Sequence, residues 1–146
     1  MKRMVIVATI LALGTGGVVA QQIDIIKQRQ QIMKGVGKAT GDLAKVMKGE
    51  ATFDLAQAHE AFKNYADAGK KMPGLFPDNS KTGADTGALP KIWEAKADFE
   101  AKYAKLTADA ERLNPTIKDE ASFKAAFMEV TKNCGGCHET YRAKQN

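Results

Sequence analysis

Residues 133–142 read NCGGCHETYR. Cys134, Cys137 and His138 stand within five residues, and the chain has no third cysteine. On a helix of about 3.6 residues per turn, positions i, i+3 and i+4 lie on one face. That face continues upstream through Phe123, Phe127 and Val130 and downstream to Tyr141. The stretch therefore reads as the C-terminal part of an amphipathic helix. The helix starts near Asp119, because Asp119 and Glu120 suit the positive end of a helix dipole.

Working outward, Asn114-Pro115 breaks a preceding periodic stretch. There Ile92, Ala95, Phe99, Tyr103, Leu106, Ala110 and Leu113 form a heptad-like stripe, with Pro90 suited to the first helical turn. Residues 72–90, MPGLFPDNSKTGADTGALP, are too rich in proline and glycine for a continuous helix. Leu75 and Phe76 are expected to fold back from that loop onto the core. Another helix is predicted from Thr52, as N-cap, to Gly69, with Leu55, Ala58, Phe62, Tyr65 and Gly69 on its apolar face. The earliest runs from Asp24 to Lys48, where Ile26, Met33, Val36, Thr40, Leu43 and Met47 recur at helical steps and Gly49 is the stop. No stretch shows strand alternation, and no internal repeat is visible. Four amphipathic helices with one longer connection predict an all-α antiparallel four-helix bundle.

The first residues carry a different pattern. Lys2 and Arg3 precede an apolar run from Met4 to Leu13, and small residues lead to Val18-Val19-Ala20. This is the layout of a secretory signal peptide cleaved after Ala20, so residues 1–20 are set apart from a domain spanning 21–146. The apolar run is short for a bilayer of about 30 Å, so no membrane span is expected after cleavage. The 22 basic and 17 acidic residues give a formal charge of +5. That charge is spread along the chain, without a nucleic-acid stripe or a polybasic membrane patch. Export would also expose free thiols to an oxidising compartment.

Two thiols and an imidazole at this spacing have several chemical readings. A redox dithiol expects a βαβ context, which the pattern lacks. A zinc site needs about four ligands, and His59 is the only other histidine. A disulfide across two residues closes too small a loop to stabilise much. The order C-x-x-C-H is the attachment signature of haem c, with a thioether at each cysteine and the imidazole on the iron.

Here the chain resembles the cytochrome c′ family of periplasmic four-helix-bundle haem proteins, and within it the low-spin cytochrome c-556 subgroup. The resemblance rests on the late CGGCH followed by ETYR, on ALPKIWE entering the third helix, and on MKGE closing the first. QIMKGVG and LFPDNS are similar to the subgroup. The resemblance implies one covalently bound haem c, with thioethers at Cys134 and Cys137 and His138 as proximal iron ligand. Arg142 matches a basic residue near the haem. The family's residue opposite the histidine stands sixteen positions before the glycine that closes the first helix, which here is Met33. By helical spacing alone Met33 reads as core packing before it reads as a ligand, since methionine fills irregular gaps. The resemblance makes it the distal ligand, because a thioether binds iron.

Gly35, Gly37 and Gly41 crowd the same helix, at about 1 kcal/mol each relative to alanine. A haem edge or a closely packed neighbouring helix would account for them. Met47, Met72 and Met128 are weaker candidates for the iron, and His59 reads as a solvated surface histidine. Trp93 is expected in the core, with its indole N–H bonded. Phe127 and Tyr141 would pack on the haem or in the ordinary core. Arg142 would meet a propionate or cap its helix. Lys124, Lys132 and Lys144 are surface lysines with only a weak claim to docking.

Nothing in the chain reads as an enzyme. The expected function is a periplasmic one-electron carrier with His/Met-ligated, low-spin iron, serving redox partner proteins that no motif identifies. The alternative is a five-coordinate, high-spin cytochrome c′ that binds nitric oxide or carbon monoxide. A haem-free interaction protein is the dullest alternative. Monomer and homodimer both remain compatible with the sequence.

Overall fold

The structure, a computed structural model, describes residues 15–144, with side chains described from residue 20. Most of the leader, residues 1–14, therefore lies outside the described residues. Four long helices make the molecule: α1 (Thr15–Met47), α2 (Leu55–Lys71), α4 (Lys96–Leu113) and α5 (Glu120–Tyr141), with a single turn, α3 (Lys91–Glu94), ahead of α4. The described residues form no strand beyond an isolated bridge between Ala88 and Arg142. The bundle is all-α, as the periodicity predicts.

Local chemistry sets the helix ends. Gly49 takes φ +74°, open to glycine at little cost. Its N–H bonds Val46 at 3.0 Å, and the Glu50 N–H reaches Lys45 at 2.8 Å, which closes α1 in a Schellman motif. At α5, Asp119 Oδ1 accepts from the Ser122 N–H at 2.8 Å, and Ser122 Oγ takes up the Asp119 N–H at 3.0 Å. The expected start near Asp119 is thus a reciprocal cap. At α2 the cap is Asp54 rather than Thr52, accepting from the Gln57 N–H at 3.0 Å. The third predicted helix is interrupted: Ala95 leaves helical geometry at φ −125°, ψ 48°. Trp93, two residues earlier, is held by its indole N–H on the carbonyls of Phe76 (3.1 Å) and Pro77 (3.2 Å).

The helices pack in the order α1–α2–α4–α5, with α2 on α4 the most extensive contact. Gly69 permits it, because a β-carbon there would stand 2.2 Å from Thr107 Oγ1 and 3.1 Å from the Tyr103 carbonyl. Phe62, Tyr65, Phe123, Leu43 and Ile117 fill the core. No comparable contact joins α1 to α5. That seam is spanned at one end by the loop of residues 72–90. Arg29 and Gln30 on α1 bond the loop, and its other side pairs with the tail after α5. The pairing is the Leu89 N–H on Tyr141 O at 3.0 Å and the Ala143 N–H on Gly87 O at 2.8 Å.

Candidate cofactor site

Under that loop lies a cavity of about 540 Å³. Met33 borders it from α1, Phe99 and Tyr103 from α4, and Cys137, His138, Tyr141 and Arg142 from α5 and its end. The loop contributes Phe76, and Met72 and Ile92 complete the apolar lining. The volume falls within the roughly 300–1,000 Å³ of cofactor pockets. Its floor is aromatic: Phe99 stacks edge-on against Phe76 (4.7 Å), Tyr103 (5.1 Å) and Tyr141 (5.2 Å).

Four of the five residues singled out in the sequence meet here: Met33, Cys137, His138 and Arg142. Cys134 does not border the cavity, although it is half-buried one helical turn before His138. Both cysteines are half-buried and form no disulfide. Burial, and then the Arg142 charge, hold His138 below the usual imidazole range. A neutral ring with a free lone pair is the form that binds metal. Arg142 itself is exposed at the C-cap of α5.

Other residues fall partly where the sequence put them and partly elsewhere. Met72 borders the cavity as well, but at 2% exposure it is locked in the core, whereas Met33 is half-buried. His59 is half-buried rather than solvated, with Nδ1 2.6 Å from Asn114 Oδ1, and it lies away from the cavity. Trp93 packs edge-on against Phe76 without bordering the cavity, and Phe127 stacks on Phe123 in the core. Gly35, Gly37 and Gly41 are exposed, and a β-carbon at any of them would meet nothing within 4 Å. Close packing of a neighbouring helix therefore does not explain them.

Arg29 is the residue that sequence reading missed. It is 4% exposed and borders the cavity one turn before Met33. Its guanidinium donates to Leu75 O (3.2 Å), Ser80 Oγ (3.1 Å), Ser80 O (3.0 Å) and Thr86 Oγ1 (2.7 Å). It also lies 4.5 Å above the Phe76 ring. All these partners are neutral, and burial lowers its pKa. A buried cation without a carboxylate is costly unless an anion joins it. The available signal is its position between Ile26 and Met33, at helical steps on the same stripe.

The lining thus suits a large flat apolar group that carries carboxylates, as haem does. Fold, cavity and the C-x-x-C-H stretch together define a helical-bundle c-type cytochrome. The chain belongs to the cytochrome c′ family: the family model described as Cytochrome C' matches residues 24–142. It is 49% identical to a cytochrome c′ of Rhodopseudomonas palustris over 99% of this chain and 98% of that one. It is 36% identical to a cytochrome c-556 of the same organism, over 99% of each. A solved structure of cytochrome c′ from R. palustris superposes with a TM-score of 0.81 at 51% identity, covering 84% of this chain and 98% of that one. Like the family, the chain carries a single covalently attached haem c.

Proposed function

We propose that the protein is a periplasmic one-electron carrier whose iron is held by His138 and Met33. One observation carries this reading: Met33 on α1 and His138 on α5 border the same cavity from the two helices that flank the open seam. The bound haem supplies the one-electron iron couple. Cys134 and Cys137 would anchor it through thioethers. His138, kept neutral by its surroundings, would give its ring nitrogen to the iron, and the Met33 thioether would occupy the opposite position. A soft thioether favours the ferrous state. Arg29 and Arg142 would balance the carboxylates, and the aromatic floor would exclude water.

Residues 1–20 are proposed to be a cleaved export signal. The basic start, the apolar run and Ala20 support this. No described helix is long and apolar enough to cross a membrane.

The family also supports a second reading. The 49%-identical relative bears the name cytochrome c′ rather than c-556. On that reading the iron is five-coordinate, Met33 only packs, and nitric oxide or carbon monoxide binds in the space it leaves.

Optical spectra of the purified protein, with and without carbon monoxide, separate the two. His/Met ligation gives a low-spin spectrum with a weak far-red sulfur-to-iron band, indifferent to carbon monoxide. Met33→Ala should lose that band and gain carbon monoxide binding, whereas Met72→Ala should keep the band and only lose stability. A high-spin wild-type spectrum that shifts with carbon monoxide would establish the second reading instead.

A further inference from the structure

Basic side chains gather around the mouth of the cavity. Residues 25–41 of α1 contain Lys27, Arg29, Lys34 and Lys38 and no acid at all. Lys34 borders the cavity and is exposed, and Lys27 lies two turns before it on the same helix face. Across the seam, the exposed Arg142 and Lys144 border the cavity from the tail of α5. None of Lys27, Lys34, Arg142 and Lys144 forms an ion pair among the described residues. Asp85 is the one acid on the cavity lining, and Glu139 is the nearest acid along α5.

Some other lysines are compensated locally, although Lys48, Lys71, Lys96, Lys118 and Lys132 form no ion pair among the described residues either. Lys63 pairs with Asp67 at 3.0 Å, Lys70 with Glu111 at 2.6 Å and Lys124 with Glu120 at 2.6 Å. α1 and α5, which border the cavity from its two sides, scarcely touch each other. Beyond Arg142, which would meet the carboxylates of the bound group, the mouth is thus bordered by Lys34 and Lys144, which pair with no carboxylate among the described residues.

We infer that this mouth, bordered by Lys34, Arg142 and Lys144, is the docking face for a redox protein that presents an acidic patch. The inference rests on the electron-carrier reading. Like-signed charge around a mouth steers an oppositely charged partner and raises association rates by about 10–10³-fold at low salt. Such steering fades as ionic strength shortens the screening length.

Stopped-flow oxidation of the reduced full-length protein tests it, with anionic ferricyanide and a cationic cobalt tris-phenanthroline complex as separate oxidants. A rim variant, Lys34→Glu with Lys144→Glu, is compared with a far-end variant, Lys48→Glu with Lys118→Glu, which changes net charge equally. Lys48 and Lys118 are exposed beside the turns at the other end of the bundle. At low salt the rim variant should react about tenfold more slowly with ferricyanide and faster with the cobalt complex. The far-end variant should stay within about twofold of wild type, and high salt should erase both differences. Poly-L-glutamate should slow the wild-type reaction and leave the rim variant unaffected.

Equal effects from the two variants would mean that only net charge matters, and would overturn the docking face. Rim-dependent binding to phosphatidylglycerol vesicles, with ferricyanide rates unchanged, would overturn the protein partner in favour of a lipid surface. Failure of the iron to exchange electrons with either oxidant would instead count against the carrier reading itself.

Discussion

Arg29 is the side chain on which the cavity end of the molecule hangs. Its four hydrogen bonds satisfy three loop carbonyl or hydroxyl groups beyond Ser80 O, all from a position 4% exposed. Arg29→Met keeps the apolar stem but strands those acceptors. Each buried group left without a partner costs about 1–3 kcal/mol, with some relief from water. The variant should lose about 2–4 kcal/mol in a urea titration, while Arg142→Met, exposed at a helix end, should change stability by less than about 0.5 kcal/mol. Equal losses would show that Arg29 is not the loop's anchor. Asp109 plays the comparable part between α4 and α5. It accepts from Lys105, from Arg112 at 2.9 Å and from Asn133, next to Cys134, at 2.9 Å. The Lys105 hydrogen bond first, and then that from Asn133, holds its carboxyl well below the usual range. An unfolded aspartate titrates near ~3.9, so Asp109 stabilises the folded state fully above that pH. The contribution is lost as pH falls through the lower folded value. Asp109→Asn should therefore be less stable than wild type at pH 7, with the gap closing under acid. Unfolding midpoints between neutral pH and about pH 2 would show this, and a gap independent of pH would make the role purely steric.

At the scale of elements, the periodicities located four long helices, and the reciprocal cap at Asp119 was visible as an acidic start. The boundary differences have one local and one tertiary cause. Thr52 and Asp54 are both good caps, and only the geometry of the turn chooses Asp54. The break at Ala95 carries no sequence signal, because alanine is a strong helix former. It follows from tertiary contacts that hold Trp93 on the loop carbonyls while α4 aligns with α2. Gly69 was placed on the apolar face, but its use is specific to the α2–α4 crossing. Gly69→Ala pushes a methyl group against Thr107 and the Tyr103 carbonyl, and overpacking of this kind costs about 1–3 kcal/mol. Thermal unfolding should show that loss, and adding Thr107→Ala should recover part of it. Full recovery would mean that the carbonyl contact is harmless.

For the whole molecule, the α1–α5 seam has consequences for the protein without its cofactor. α2, α4 and α5 share most of the apolar core, while α1 touches α2 and hangs from the loop. Replacing Cys134 and Cys137 by alanine removes both proposed attachment points. In that variant, hydrogen exchange should accelerate in α1 and residues 72–90, where the bound group would otherwise bridge the seam, while α2 and α4 stay protected. Uniform loss of protection would mean that the bundle folds only around its cofactor. Protection unchanged everywhere would mean that the loop alone closes the seam.

The sequence by itself determined the helical bundle and the C-x-x-C-H stretch, and the resemblance proposed Met33 as the residue opposite His138. The first two depend on short-range spacing along a helix or on a motif of adjacent residues. The tertiary structure decided what spacing cannot express. It brought Met33 and His138, more than a hundred residues apart, to one cavity. It also buried Arg29 among neutral acceptors, drew Met72 to the same lining and moved His59 out of solvent onto Asn114. A charged residue can sit at a core position only when another segment supplies its partners. Here those partners come from a loop about fifty residues further along the chain, whose path the local pattern does not specify.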